Sequence, residues 1–145
     1  MDRIVVGVDG SEAAQQALRW AIGEARTRDG AVVEVVHVWT YPEPCRKATF
    51  NTPRALAEQD AAVLVGAAVR RARDEVGVDV PLDTKLVEGE PVAALLDEAA
   101  GADLVVVGHA ERSRLGRWLH GRSVSRAVAE GAPCPVTVVS AGAGD

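Results

Sequence analysis

The chain has 145 residues, 48% hydrophobic and 26% charged, with a formal net charge of −5. One core of that length buries about 70% of the unfolded surface, and the acidic balance argues against a nucleic-acid partner, which would need a broadly basic face. Two cysteines, Cys45 and Cys134, are too few for a disulfide framework and stand at no metal-ligand spacing, so a reducing cytoplasm is the expected setting. No apolar stretch approaches the roughly 18 residues of a membrane span and the first apolar run is too short for a signal peptide, so no membrane partner is expected.

Residues 3–9 form a near-continuous apolar run that stops at Asp9, Gly10 and Ser11, as a strand buried on both faces does. Ser11 is placed to cap a helix whose inner face is Ala14, Leu18, Ala21, Ile22 and Ala25 and which Gly30 ends. Residues 31–39 repeat the buried-strand signature. Residues 40–53 hold three prolines and no sustained period, and read as a long surface loop. Thr52 and Pro53 then suit the N-cap and first position of a helix with Ala57, Ala61, Leu64, Ala68 and Ala72 inward, running up to Gly77. A more polar strand at 82–87 suits a sheet edge. Glu90 and Pro91 open a helix that Gly101 closes, with Val92, Leu95, Leu96 and Ala99 inward. A strand at 103–107, a short helix from Val124 to Glu130 and a last strand at 136–140 complete the series. Five strands alternating with four helices predict a single-domain α/β fold, a parallel sheet with helices on both faces. Ligands of such sheets bind beyond the carboxyl ends of the strands, where strand order reverses. If the first and fourth strands are neighbours, the turns at Asp9 and Gly108 converge on one crevice.

The stretch after the fourth strand has the outline of an anion cradle. Between residues 109 and 126, five arginines, Arg112, Arg114, Arg117, Arg122 and Arg126, face one acid, Glu111, whereas the rest of the chain carries eleven basic and twenty acidic side chains. The first turn of a helix has unpaired N–H groups and partial positive charge, which suits phosphate. Gly108 and Gly121 would let the backbone come close to such a ligand. The bland reading of the same residues is a solvated loop whose arginines pair with nearby acids. Asp9 likewise has two readings: its carboxylate accepts from an adenine amine or ribose hydroxyl, or it helps Ser11 to cap the first helix.

Other chemistries find little support. Residues 7–11 do not make GxGxxG, and the run from Gly116 to Ser123 does not spring directly from its strand as a P-loop must. No nucleophile, general base or metal-carboxylate set stands out, and His37, His109 and His120 offer no ligand geometry. No catalytic residue is assigned, and no fast catalysis is expected.

Val5 to Ser11, Val35 to Trp39, Leu104 to Gly108, Ser123 to Ala129 and Ala132 to Val136, taken in this order, resemble the universal stress protein family over essentially the whole chain. The resemblance implies five parallel strands in the order 3-2-1-4-5, a homodimer, and ATP, with Mg2+ as an optional companion. Many members bind ATP through a glycine, two residues, a second glycine, nine residues, then Gly-Ser or Gly-Thr. Carried over by position, Gly7, Val8, Asp9 and Val38 would meet the adenosine, and Gly108, His109, Gly121, Ser123, Val124 and Ser125 the phosphate side, with Val107 counted as a site residue beside Gly108. Glu111 stands where the pattern has its middle glycine, and Arg122 follows Gly121, positioned for a direct phosphate contact. The implied role is a cytoplasmic, nucleotide-dependent stress regulator. The alternative is a dimeric interaction module whose altered pocket holds no nucleotide. The last strand, residues 136–140, is apolar, short and suited to a sheet edge, so that a second copy could cover it and close a two-fold dimer.

Overall fold

The computed structural model describes residues 2–40, 53–77, 79–110 and 124–141. Valine-rich runs form the strands because β-branched side chains suit a pleated, buried surface. The elements in chain order are β1 (Arg3–Gly7), α1 (Glu12–Arg26), β2 (Val32–Trp39), α2 (Pro53–Val76), β3 (Leu82–Glu88), α3 (Pro91–Ala99), β4 (Leu104–Ala110), α4 (Val124–Gly131) and β5 (Val136–Ala141). All strand pairs are parallel and the order is β3-β2-β1-β4-β5. The polar third strand and the apolar fifth are therefore the two edges, as their composition suggested. Strand order reverses between β1 and β4.

Alternation along the strands sorts the core into two layers. Ile4, Val6, Val33, Val35 and Val106 pack with Leu18 and Ile22 of α1 and Val65 and Ala72 of α2. On the opposite face Val5, Val36, Val105 and Val107 pack with Leu95 of α3 and Val128 of α4. Burying a leucine or isoleucine side chain contributes about 1.5–3 kcal/mol, and Ile4, Leu18 and Ile22 are at or near complete burial. Gln15, a buried polar residue of α1, donates from Nε2 to the Ala68 carbonyl of α2 at 3.0 Å, so its amide is not stranded in the apolar layer.

The helix ends are fixed as the cap residues imply. Ser11 has an extended backbone and its Oγ accepts from Ala14 N at 3.1 Å. The Glu90 carboxylate accepts from Ala93 N at 2.8 Å, with Pro91 opening α3. At the amino end of the sheet Arg3 bridges Glu34 at 2.6 Å and Glu98 at 3.3 Å, and Lys85 meets Glu98 at 2.9 Å, which ties three strands to α3.

Three boundaries differ from expectation by two residues or more, the first being α1, which ends at Arg26 with Thr27 as its cap, short of Gly30. β1 ends at Gly7, two residues early, because its last registered partner on β2 is Val36. β4 runs on through Gly108 and His109 to Ala110, because β5 supplies partners up to Ala141. The expected loop at 40–53, apart from Thr40 and Pro53, and the arginine stretch from Glu111 to Ser123 lie outside the described residues.

Candidate functional site

β1 pairs with β4 from Ile4↔Leu104 to Val6↔Val106, and with β2 as far as Gly7↔Val36. Past these rungs the three strands part, and a cavity of about 370 Å³ opens at their carboxyl ends. That volume lies in the range of small-molecule sites. Of the twelve residues expected at the site, Gly7, Val8, Asp9, Val38, Val107, Gly108 and Val124 line this one cavity. Thr40, Val36, Pro91, Leu95, Ser11 and Ala14 complete the wall. Gly121, Arg122 and Ser123 lie outside the described residues, as do four of the five arginines. The fifth, Arg126, is ion-paired with Glu130 one helical turn on, at 3.1 Å.

The cavity is an apolar slot with a polar mouth. Gly7 forms part of its floor. A Cβ at that position would stand 3.1 Å from both terminal methyls of Leu95, so glycine keeps room between β1 and α3. At the mouth the exposed Asp9 accepts from Ser11 N at 2.9 Å through Oδ1, and Gly10 turns the chain with φ of +87°. Both readings of Asp9 therefore have a geometric basis: one carboxylate oxygen serves the turn before α1, and the residue lines the cavity. Ser11 belongs to the helix cap and the cavity wall at once, a double role that its position as N-cap alone did not reveal.

Gly108 answers a second need besides the one its place in the sequence suggested. A Cβ there would fall 2.3 Å from the Ala13 carbonyl oxygen and 2.4 Å from its carbon, distances that backbone atoms cannot relieve. The glycine lets β4 pass directly against the first turn of α1, and this close approach is what brings the ends of β4 and β1 to the same cavity. His109 and Ser125 are not part of the lining. They share a hydrogen bond, Ser125 Oγ to His109 Nδ1 at 3.1 Å, that joins the end of β4 to the first turn of α4.

His37, which had no role in the sequence reading, stands beside Val8 of the cavity wall. It is 8% exposed, and its Nδ1 donates to the Val8 carbonyl at 2.8 Å. The signal that could have found it is its place two residues before the end of a buried strand, beside the turn of the neighbouring strand. Among the described residues no group of three or more His, Cys, Asp or Glu side chains could hold a metal ion. Burial, reinforced by nearby Asp103, pushes the Cys134 thiol up, away from the reactive thiolate.

A profile of the universal stress protein family matches residues 1–140. The chain belongs to the universal stress protein family. A universal stress protein of Mycobacterium tuberculosis is 35% identical over 142 residues, which cover 94% of this chain and 47% of that protein. The chain thus spans about half the length of the mycobacterial relatives it matches. Among solved structures, the universal stress protein from Archaeoglobus fulgidus in complex with dAMP is 26% identical, with a TM-score of 0.61, and the match covers 96% of this chain and 98% of that one. A universal stress protein in complex with cAMP is also 26% identical, with a TM-score of 0.56 and 95% of each chain covered. The fold, with five parallel strands in the order 3-2-1-4-5, is the one the sequence resemblance implied.

Proposed function

We propose that this universal stress protein holds an adenine nucleotide, ATP in the first instance, in the cavity beyond β1 and β4, and acts as a nucleotide-dependent stress regulator rather than a fast catalyst. The observation that carries the reading is the convergence of β1, β2, β4 and α4 residues on one apolar slot with an acceptor at its mouth. Two family members at 26% identity are solved with adenine nucleotides, dAMP and cAMP. A planar base suits the space bounded by Val38, Leu95 and Val107, and Asp9 suits a ribose hydroxyl or ring amine as a hydrogen-bond donor to it. The phosphates then extend toward α4, whose first turn carries the partial positive charge of a helix start. Gly121, Arg122, Ser123, His109 and Ser125 are assigned to that end by family position, and Mg2+ would arrive with the phosphates. The setting in this reading is the cytoplasm. Among the described residues no helix is long and apolar enough to cross a membrane.

Titrating the purified protein with labelled ATP and AMP tests the proposal. Saturable binding is expected, and its absence at millimolar nucleotide would leave the second reading, an interaction module of the same fold. Glu111 in place of the pattern's middle glycine favours that second reading; tighter binding by Glu111→Gly would instead mark the pocket as intact apart from one side chain.

The same proposal includes a homodimer through β5. The edge strand β3 carries Asp83, Lys85 and Glu88, charges of the kind that blunt strand pairing, whereas residues 136–140 of β5 carry none and Val138 is 41% exposed. Val138→Lys is expected to elute as a monomer from a sizing column where the unaltered protein elutes as a dimer. An unchanged elution volume would rule out this interface.

A further inference from the structure

The geometry points to His37 as a positioning residue that sets the wall of the cavity through the backbone of Val8. It rests on the cavity at the carboxyl ends being the binding site, and it adds a residue that neither lines the cavity nor belongs to the glycine pattern.

Three observations converge on it. Registered pairing of β1 with β2 stops at Gly7↔Val36, although β2 continues to Trp39. Val8 then keeps one backbone bond to β2, its N–H to the Val36 carbonyl at 2.9 Å, and its own carbonyl accepts from the His37 ring at 2.8 Å. A carbonyl only accepts, so Nδ1 carries the hydrogen. The ring is 8% exposed, so the bond lies away from competing water. His37 therefore supplies from a side chain the donor that a further rung of the sheet would have supplied from the backbone. That substitution lets β2 diverge from β1 at the point where Val38 and Thr40 begin to line the cavity. The fixed carbonyl immediately precedes Asp9, whose carboxylate holds Ser11 N, and Gly10, where a Cβ would already meet Leu64 of α2 at 3.2 Å. The turn at the mouth is thus held at two points, by the Asp9 carboxylate at Ser11 N and by His37 at Val8. Without the ring donor the Val8 carbonyl is buried and unpaired, and the turn has one anchor fewer.

The test compares two replacements. His37→Phe keeps the bulk and removes the donor, whereas Asn Nδ2 stands where His Nδ1 does, so His37→Asn restores the donor with less bulk. With AMP as the probe, His37→Phe is expected to weaken binding by about tenfold, the scale of one buried hydrogen bond, and His37→Asn to recover most of that loss. Equal affinity for the unaltered protein and His37→Phe would overturn the assignment, as would failure of Asn to rescue while both variants unfold like the parent. Nitrogen-15 NMR of the unaltered protein gives a readout independent of nucleotide and of whether the variants fold: the His37 ring should carry its hydrogen on Nδ1, and a ring protonated on Nε2 alone would also overturn it. If the parent binds no AMP, it is the nucleotide reading that fails, and His37 is then judged by that ring signature together with amide exchange at Asp9 to Ser11. Faster exchange confined to that turn in His37→Phe supports the positioning role, and unchanged exchange refutes it.

Discussion

On the α1/α2 side of the sheet, Ile4, Leu18 and Ile22 are essentially excluded from solvent and the apolar layer extends from the sheet into both helices, with Gln15 bonding one helix to the other. On the α3/α4 side the buried cluster is smaller, Leu95 is its one buried side chain larger than valine among the described residues, and the cavity is cut into its carboxyl-end margin. The difference teaches a division of labour. Close packing on one face supplies stability, and incomplete coverage on the other leaves room for a ligand without opening the core. Substitutions should then separate into those that unfold the protein and those that only empty the slot.

The sharpest way to break that comparison is at Gly108, which packs against α1 and also lines the cavity. Gly108→Val places atoms inside the Ala13 backbone, and we expect a loss of more than about 4 kcal/mol, beyond the usual range for a point substitution, read as failure to fold or a collapsed urea midpoint; a normal midpoint would contradict the close approach of β4 to α1. Leu18→Ala should cost about 2–5 kcal/mol through the cavity it leaves while the folded fraction binds AMP with unchanged affinity. Val38→Phe should do the reverse, losing AMP binding by at least about tenfold at a stability cost below about 1.5 kcal/mol, since the added ring enters space that is already open. Stability loss without binding loss at Val38 would erase the distinction between the faces.

The smallest effect is expected on the outer surface of the stable layer. Arg71 of α2 meets Glu12 of α1 at 2.9 Å and Glu75 at 3.0 Å, and Arg19 meets Glu75 at 2.8 Å. The Arg71 hydrogen bond holds the Glu12 carboxyl below its ordinary value, and Arg19 followed by Arg71 does the same for Glu75. A carboxyl whose folded value is depressed stabilises the fold above its unfolded value and loses that contribution as pH falls through the folded one. Arg71→Ala should therefore lower the melting temperature slightly at neutral pH, and the gap from the parent should close on acidification below the carboxylate range and shrink in high salt. A gap that widened in acid would reverse the sign of this linkage.

Strands, helices and layers were legible because burial imposes period two on strands and a 3.6-residue stripe on helices. Ser11 and Glu90 announced the helices they cap, and the polar β3 and apolar β5 announced the two edges. Strand order was not legible from periodicity, which is local, and came instead from the resemblance of the whole chain to one family. The roles of Gly108 and His37 were hidden for a related reason. Gly108 is a glycine because of Ala13, and His37 matters because of Val8, so each depends on a backbone atom far away in sequence that only the folded sheet brings within reach. Strand ends suffered similarly: β4 outlasts its apolar run because β5 continues beside it.

Asp9 and the first residue of α4, Val124, both line the slot, and this has an electrical consequence. A carboxylate repels negative charge and welcomes hydrogen-bond donors, while the opening turn of a helix welcomes anions. The hollow therefore meets solvent with two unlike polar groups, and under the proposed nucleotide reading these would select one orientation of a guest that has hydroxyls at one end and negative charge at the other.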